Sequence, residues 1–472
     1  MRFRRWMPWP ALIALGAAVG VAAAQPSKDG AETEAGKAED PEEKQASPLR
    51  DLPIVREQLD NGLQVVMSPD RTVPTVAVAV YYDVGSRNEE KGRSGFAHLF
   101  EHMMFQGSAN VGKMQHFELI VNRGGSANGT TSADRTNYFE TLPAHELALG
   151  LWLEADRMKS LAVTAENFEN QRQTVKEERR QRVDNQPYVP SMIRINELAY
   201  ESYWPYGHPT IGYMQDLDEA PLSAVQDFFD TYYAPNNAVV ALAGDFEPDE
   251  AMRQVKKYFG DIPRSDVPEY EPPPIEPQSK ERTDRMKDAL AELPAFHIAY
   301  HIPPSRTPDH YPLELMAAVL GEGKSSRLYQ TLVKKKEMVQ EIDVSTDDRR
   351  GPDLFSFWSI LAGDHPGEEV RQVIYDEIER IAEKGVTERE LEKAKNRIRA
   401  SLVFDLQSNL ARAMNLAEFE LYWGDARLLR EELDRYLEVT DEDIRRVAQK
   451  YFEPGNRTVL DVVPAKQQGA KQ

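Results

Sequence analysis

The sequence predicts an α+β protein built from two homologous α/β-sandwich-like halves, and three observations lead there. Short β-branched or alternating runs are interspersed with longer amphipathic stretches, without a regular βαβ period or a Gly-rich phosphate loop. A proline-dense run, PRSDVPEYEPPPIEP at residues 263–277, divides the chain. Proline lacks a backbone donor and disfavours helix in its predecessor, so this run reads as an extended linker. Finally, a shift of 219 places Val225 on Ile444, Tyr232 on Tyr451, Pro235 on Pro454, Asn237 on Asn456 and Val240 on Val459 without a gap. An amphipathic helix, an aromatic pair, a Pro-x-Asn turn and a Val-rich strand recur in one order, the pattern of a duplicated domain.

Taken in order, residues 1–24 read as a signal peptide. Arg2, Arg4 and Arg5 form a basic start, and the apolar stretch 11–24 ends in small residues and is shorter than the ~20 residues that span a bilayer. Export follows, and the periplasm of a Gram-negative bacterium suits an exported chain with no cysteine. Residues 25–50, with Leu49 as their only large apolar side chain, read as a flexible acidic linker that cannot offset its ordering entropy. The first half spans 51–262, with strands expected at 63–67, 75–84 and 238–243 and helices at 146–161, 165–183, 223–232 and 249–258. The Pro-rich linker covers 263–285. The second half spans 286–464, with helices at 367–384, 388–402 and 441–451, and 465–472 form a tail.

Composition narrows the function. In 472 residues, 41% are hydrophobic and 29% charged, values that exclude wholesale disorder and polytopic membrane insertion. A net charge of −21 repels phosphate backbones, so nucleic acid is excluded as a partner class. The absence of cysteine removes disulfides, thiolate metal sites and cysteine nucleophiles.

The sharpest signal is Ser94-Gly95-Phe96-Ala97-His98-Leu99-Phe100-Glu101-His102-Met103-Met104-Phe105. Its apolar filler reads as a buried helix, on which His98 and His102 at i and i+4 project from one face. Two neutral imidazoles so placed suit a tetrahedral Zn²⁺ site, and Glu101 lies one step before the second histidine, within reach of a water there. The order is H-x-x-E-H. A carboxylate between two imidazoles amid Leu, Phe and Met is costly to bury unless a cation sits with it. A third ligand is needed, and the helix carrying residues 168–178 offers candidates. Phe168, Gln171, Val175 and Glu178 share a face, so if Val175 points to the core Glu178 follows it and Glu177 is solvated. Helical phase alone leaves Glu178 open between a ligand and an ordinary surface charge. His297 and His301 are also spaced i, i+4, but they lie on an expected strand where four residues span about 13 Å, so they read as structural.

At these residues the chain resembles the pitrilysin/insulinase family of zinc metallopeptidases, the group that includes mitochondrial processing peptidase. The resemblance covers residues 54–464 and rests on H-x-x-E-H followed downstream by a V-x-E-E-R type segment, here Val175-Lys176-Glu177-Glu178-Arg179. It implies two α/β halves closing as a clamshell around a peptide-binding cleft, and one Zn²⁺ held by His98, His102 and Glu178. It also implies Glu101 as the general base of an endopeptidase for peptides or small unfolded proteins. Family members usually carry a glutamate seven residues before the third ligand; this chain has Gln171 there, able to hydrogen-bond but uncharged. Gly124-Gly125-Ser126-Ala127-Asn128-Gly129-Thr130-Thr131 resembles the edge strand on which relatives bind substrate by strand addition, which implies Ala127, Asn128, Gly129 and Thr130 as substrate contacts. Active second halves place an Arg and a Tyr seven residues apart. Aligned on Lys336-Glu337, those places hold Lys334 and Glu341. The resemblance therefore implies a heterodimer, in which a homologous subunit supplies the Arg/Tyr pair, over a homodimer that relies on Lys334. The competing class is a non-catalytic scaffold subunit of the same family, which would have no need of the His98/Glu101/His102 trio.

Overall fold

The computed structural model of the chain describes residues 49–465. The segments read as a signal peptide (1–24), as linker up to residue 48 and as tail beyond residue 465 lie outside the described residues. Among the described residues no helix is long and apolar enough to cross a membrane.

The fold is α+β in two halves, each with one sheet. The first sheet comprises β1 (Val55–Gln58), β2 (Gln64–Pro69), β3 (Thr75–Tyr82), β4 (Ser126–Thr131), β5 (Thr136–Pro143) and β6 (Ala238–Gly244), in the order β1-β2-β6-β3-β5-β4. Only the β2–β6 pair is parallel. The second sheet has β7 (Arg282–Asp288), β8 (Ala295–Ile302), β9 (Val339–Thr346), β10 (Asp353–Leu361) and β11 (Arg457–Pro464), in the order β7-β11-β8-β10-β9, and only β7–β11 is parallel. Without β1, the first sheet has the topology of the second. The shift of 219 carries helix Leu222–Tyr232 onto helix Asp441–Tyr451 and the turn Pro235–Asn237 onto Pro454–Asn456. The duplication is visible in three dimensions.

Both faces of β3 are buried, and its alternation sorts them. Val76, Val78, Val80 and Tyr82 join the large core shared with α1 (Phe96–Met103), α2 (Gln115–Val121), α3 (Leu147–Ser160) and α4 (Ala165–Arg179). Ala77, Ala79 and Tyr81 face the other way, where small side chains admit helix Asn409–Trp423 from the second half through Ala413, Leu416 and Ala417. The exchange is reciprocal. Helix α5 (Val189–Ala199) of the first half covers the back of the second sheet, packing Ile195 and Ala199 on Ala299, Leu354 and Leu460. Each half lends a helix to the other, so the two cannot separate without exposing both sheets.

A polar seam supports this contact. Arg350 donates Nη1–H to Asp83 Oδ1 at 2.6 Å and its backbone N–H to Asp134 Oδ2 at 3.2 Å, while Tyr206 donates to Asp134 Oδ1 at 2.8 Å. Two details depart from the sequence reading. Leu49, within the stretch read as flexible linker, is buried in the cluster that the first sheet shares with helix Asn409–Trp423, and Arg50 pairs with Asp434 at 3.0 Å. Strand β7 begins at Arg282, inside the stretch read as Pro-rich linker to 285. Its sequence RTDRMKD has one apolar residue because it is an edge strand, and hydrophobic periodicity carries no signal there.

Candidate metal centre

Helix α1 starts at Gly95, whose φ of 88° is left-handed, and seven of its eight residues are buried. His98 and His102 lie one turn apart with ring centroids 4.8 Å from each other. Helix α4 is capped by the Thr164 hydroxyl, which accepts from the Asn167 amide, and it buries Phe168, Gln171 and Val175. That phase turns Glu178 inward and leaves Glu177 exposed. Glu178 Oε2 comes 3.2 Å from His102 Nε2 and 3.7 Å from His98 Nε2. The three side chains offer ligand atoms within 4.8 Å of one another. Past Arg179 the helix widens into a π-helical turn, Arg180–Asp184, from which Arg182 reaches back to Glu178 Oε1 at 3.2 Å.

The electrostatics fit a divalent cation. Burial, reinforced by His102, pulls His98 down to about 3, so its imidazole is neutral. Burial works against the charge on Glu178, but the His102 hydrogen bond, both imidazoles and Arg182 outweigh it and hold the carboxylate at about 2. His102 is raised: burial opposes its proton, and Glu178, Glu101 and a hydrogen bond donated to Gln171 overcome that opposition. The Nδ1 atom of His98 is buried with no hydrogen-bond partner, as an uncharged ring allows. A His₂Glu set with a carboxylate already drawn between two imidazoles suits Zn²⁺ with one position open.

Glu101 stands beside this set. It is 3% exposed, and burial raises it above the usual carboxylate range. Thr131 donates its hydroxyl to Glu101 Oε2 at 2.6 Å, leaving Oε1 free of that bond. The strand β4 that carries Thr131 is the sheet edge, paired only with β5. Gly129, on the same face of β4 as Thr131, lies so close that a Cβ there would sit 3.2 Å from Glu101 Cγ. Ala127 shares that face, Asn128 accepts from the Gly129 amide at 2.9 Å, and Thr130 turns to Asn137 on the opposite face. Lys334 lies on a π-helical turn and Glu341 on β9, both exposed.

His297 and His301 stay structural: their Nε2 atoms meet Ser191 Oγ at 2.8 Å and the Ala199 carbonyl at 3.0 Å on α5. Two histidines with no carboxylate at metal-site spacing in the sequence acquire one in space. His208 meets Glu89, and His116 lies 4.0 Å from Glu154. His116, Glu140 and Glu154, all buried, bring ligand atoms within 4.8 Å of one another. Here Arg157 already takes both oxygens of Glu154, and burial followed by Glu154 raises Glu140 well above the carboxylate range. A proton on Glu140 leaves this cluster neutral, whereas a divalent ion would sit beside a buried guanidinium. Charge balance favours the proton. No sequence spacing marks the cluster, because its members come from α2, β5 and α3.

Residues 64–202 match the family described as insulinase (peptidase family M16), and residues 221–398 match the peptidase M16 inactive domain. The zinc protease PqqE of Helicobacter pylori is 32% identical over 416 residues, covering 86% of this chain and 92% of that protein. The crystal structure of a protease from Helicobacter pylori has the same fold, with a TM-score of 0.83 at 30% identity, covering 88% of this chain and 100% of that one. The periplasmic protease PqqL from Escherichia coli shares the fold with a TM-score of 0.72 at 18% identity; 89% of this chain matches 48% of that longer one. The second-half helix His310–Gly321 carries no H-x-x-E-H, in keeping with an inactive domain there. A motif helix in the first half, a duplicated partner without it and a full-length relative at this identity together make the chain a member of the insulinase family of peptidases, family M16.

Proposed function

We propose that this chain is a zinc-dependent endopeptidase for peptides or small unfolded proteins. The observation that carries the reading is the meeting of His98, His102 and Glu178 beside Glu101 at the foot of an open sheet edge. His98, His102 and Glu178 hold one Zn²⁺, which supplies Lewis acidity toward the scissile carbonyl and acidifies water. Glu101 receives the proton of the attacking water at Oε1, while Thr131 keeps Oε2 oriented, and then delivers that proton to the leaving amine. A carboxyl raised by burial both accepts and returns a proton more readily near neutral pH than a solvated one. The substrate lies along Ala127–Thr130 as an added strand, its backbone held by main-chain pairing that is largely blind to sequence. Gly129 permits the approach to Glu101.

Metal removal tests the reading. Zinc should be found at one per chain by elemental analysis, and chelation should abolish peptide hydrolysis reversibly. Acid should do the same, by a defined route. Ligation needs neutral imidazoles on His98 and His102 and an ionised Glu178, so protons compete with the metal for these three side chains as pH falls. Zinc content and activity should therefore decline together on the acid side. Hydrolysis that survives exhaustive chelation would refute the metal reading.

The position of Lys334 and Glu341 supports an assembly of two chains. In place of an Arg/Tyr pair, one side chain lacks the guanidinium fork, and the other is a carboxylate that would repel a developing oxyanion. The chain then acts as the zinc-bearing subunit, and a homologous partner supplies the Arg/Tyr pair. A length match to only 48% of the PqqL chain agrees with two such units being joined in longer relatives. The isolated chain should bind zinc yet hydrolyse peptide ~10²-fold or more below the pair, the usual cost of a missing oxyanion donor. Full activity of the chain alone, undiminished by Lys334→Ala, would remove the heterodimer. The sequence at residues 1–24 supports export, and the solved PqqL relative is periplasmic, so we place the protein in the periplasm; fractionation of cells tests this.

A further inference from the structure

Helix α1 has no side chain at its own N-cap to meet its first amides, because that position is Gly95. Glu89 meets them from outside the helix. Its Oε2 accepts from the Gly95 amide and its Oε1 from the Ala97 amide, each at 2.8 Å. A carboxylate at a helix N-terminus is also favoured by the helix dipole. The side chains of Glu89 and His208 are both fully buried, with His208 Nε2 3.1 Å from Glu89 Oε2. The other ring nitrogen, Nδ1, lies 2.7 Å from the Trp204 carbonyl. Both ring nitrogens face acceptors, the arrangement of an imidazolium against a carboxylate. Trp204 stacks on that ring at 4.2 Å and 9°, and donates its indole N–H to the Glu89 carbonyl at 2.7 Å.

The same segment touches the other ligand helix. Gly212 has φ +78° and packs backbone to backbone on Gly95, where a Cβ would lie 2.5 Å from the Gly95 Cα. Arg179, next in sequence to Glu178, donates to the Gly212 carbonyl. Residues 204–213 thus grip the start of α1 on one side and the end of α4 on the other. His98 and His102 come from the first of these helices and Glu178 from the second.

We propose that Glu89 and His208 are positioning residues for the metal centre: through the 204–213 segment they fix the start of α1 against the end of α4. This sets the separation of His98 and His102 from Glu178. The inference rests on those three residues being the zinc ligands. Metal affinity should respond as it does when groups that orient ligands are removed, by ~10–100-fold.

The test uses the full chain with Glu89→Gln, read by zinc affinity, by the visible spectrum of the cobalt-substituted protein and by hydrogen exchange of the Ala97 amide. Expected are a zinc Kd raised ~10–100-fold, altered cobalt bands and faster Ala97 exchange, with KM for peptide unchanged and kcat reduced. Gly212→Ala strains the same contact from the other side, and it decides the matter if Glu89→Gln does not fold. Faster Ala97 exchange in a folded variant whose zinc Kd and cobalt bands equal those of the wild type would overturn the positioning role. A wild-type chain that binds neither metal would instead overturn the metal reading, and the positioning role with it. Exchange at Ala97 reports on the cap whether or not metal is bound, so the two failures are distinguishable.

Discussion

Replacing Glu101 by glutamine should lower peptide hydrolysis by ~10²–10⁴-fold, while zinc content stays at the wild-type level. Glutamine keeps the shape and still accepts the Thr131 hydroxyl, so α1 and β4 have no reason to move. What it lacks is the ability to take a proton and give it back. Because Glu101 is buried, the neutral amide is also easier to accommodate than a carboxylate, and the variant should melt no lower than the wild type. The loss should fall on kcat, since the substrate strand is held by the backbone of β4. Hydrolysis at the wild-type rate with zinc bound would remove Glu101 from the mechanism. A variant that lost its zinc would show that Glu101 helps to hold the metal.

The second large effect concerns stability. Arg157→Met should destabilise the first half by ~3–5 kcal/mol, the usual cost of leaving a buried charge without its partner. Arg157 is 2% exposed, lies over the Tyr138 ring at 4.3 Å and takes both oxygens of Glu154, which is fully buried. Glu140→Gln, in the same buried cluster, should cost little, because Glu140 is held neutral. The two differ in pH behaviour as well. Glu140 is raised in the folded state, so its contribution is fully present below the ordinary glutamate value of 4.5 and is lost as pH rises toward the folded value. The amide that replaces it stays neutral at every pH and has no such loss. Denaturant midpoints between pH 5 and 8 should therefore fall less steeply in Glu140→Gln than in the wild type. An unchanged slope, or a loss matching that of Arg157→Met, would mean that Glu140 is ionised.

Much of this was legible in one dimension. Helices Gly367–Lys384 and Asp441–Tyr451 coincide with their expected ranges, and β8 is the strand expected to carry His297 and His301, since each has a complete apolar face. The helix expected at 165–183 is α-helical only to Arg179 and continues as a π-helical turn. Side-chain periodicity cannot register that change, and it brings Arg182 onto Glu178. Hydrophobic periodicity assigns no helix at α5 or at Asn409–Trp423. Their partners are sheets in the opposite half, and their apolar residues read as unspecific until those sheets exist.

By itself the sequence determined the duplication, the H-x-x-E-H helix and the phase that turns Glu178 rather than Glu177 inward. Each of these is a local matter of period and spacing, written within one element or repeated at one shift. Only the tertiary structure decided that Glu178 meets His98 and His102, that Glu89 caps the ligand helix and pairs with His208, and that Glu140, Glu154, Arg157 and His116 share one buried cluster. These contacts join residues far apart in the chain. Their energies come from desolvation and charge pairing, which depend on distance in space and leave no periodic trace along the chain.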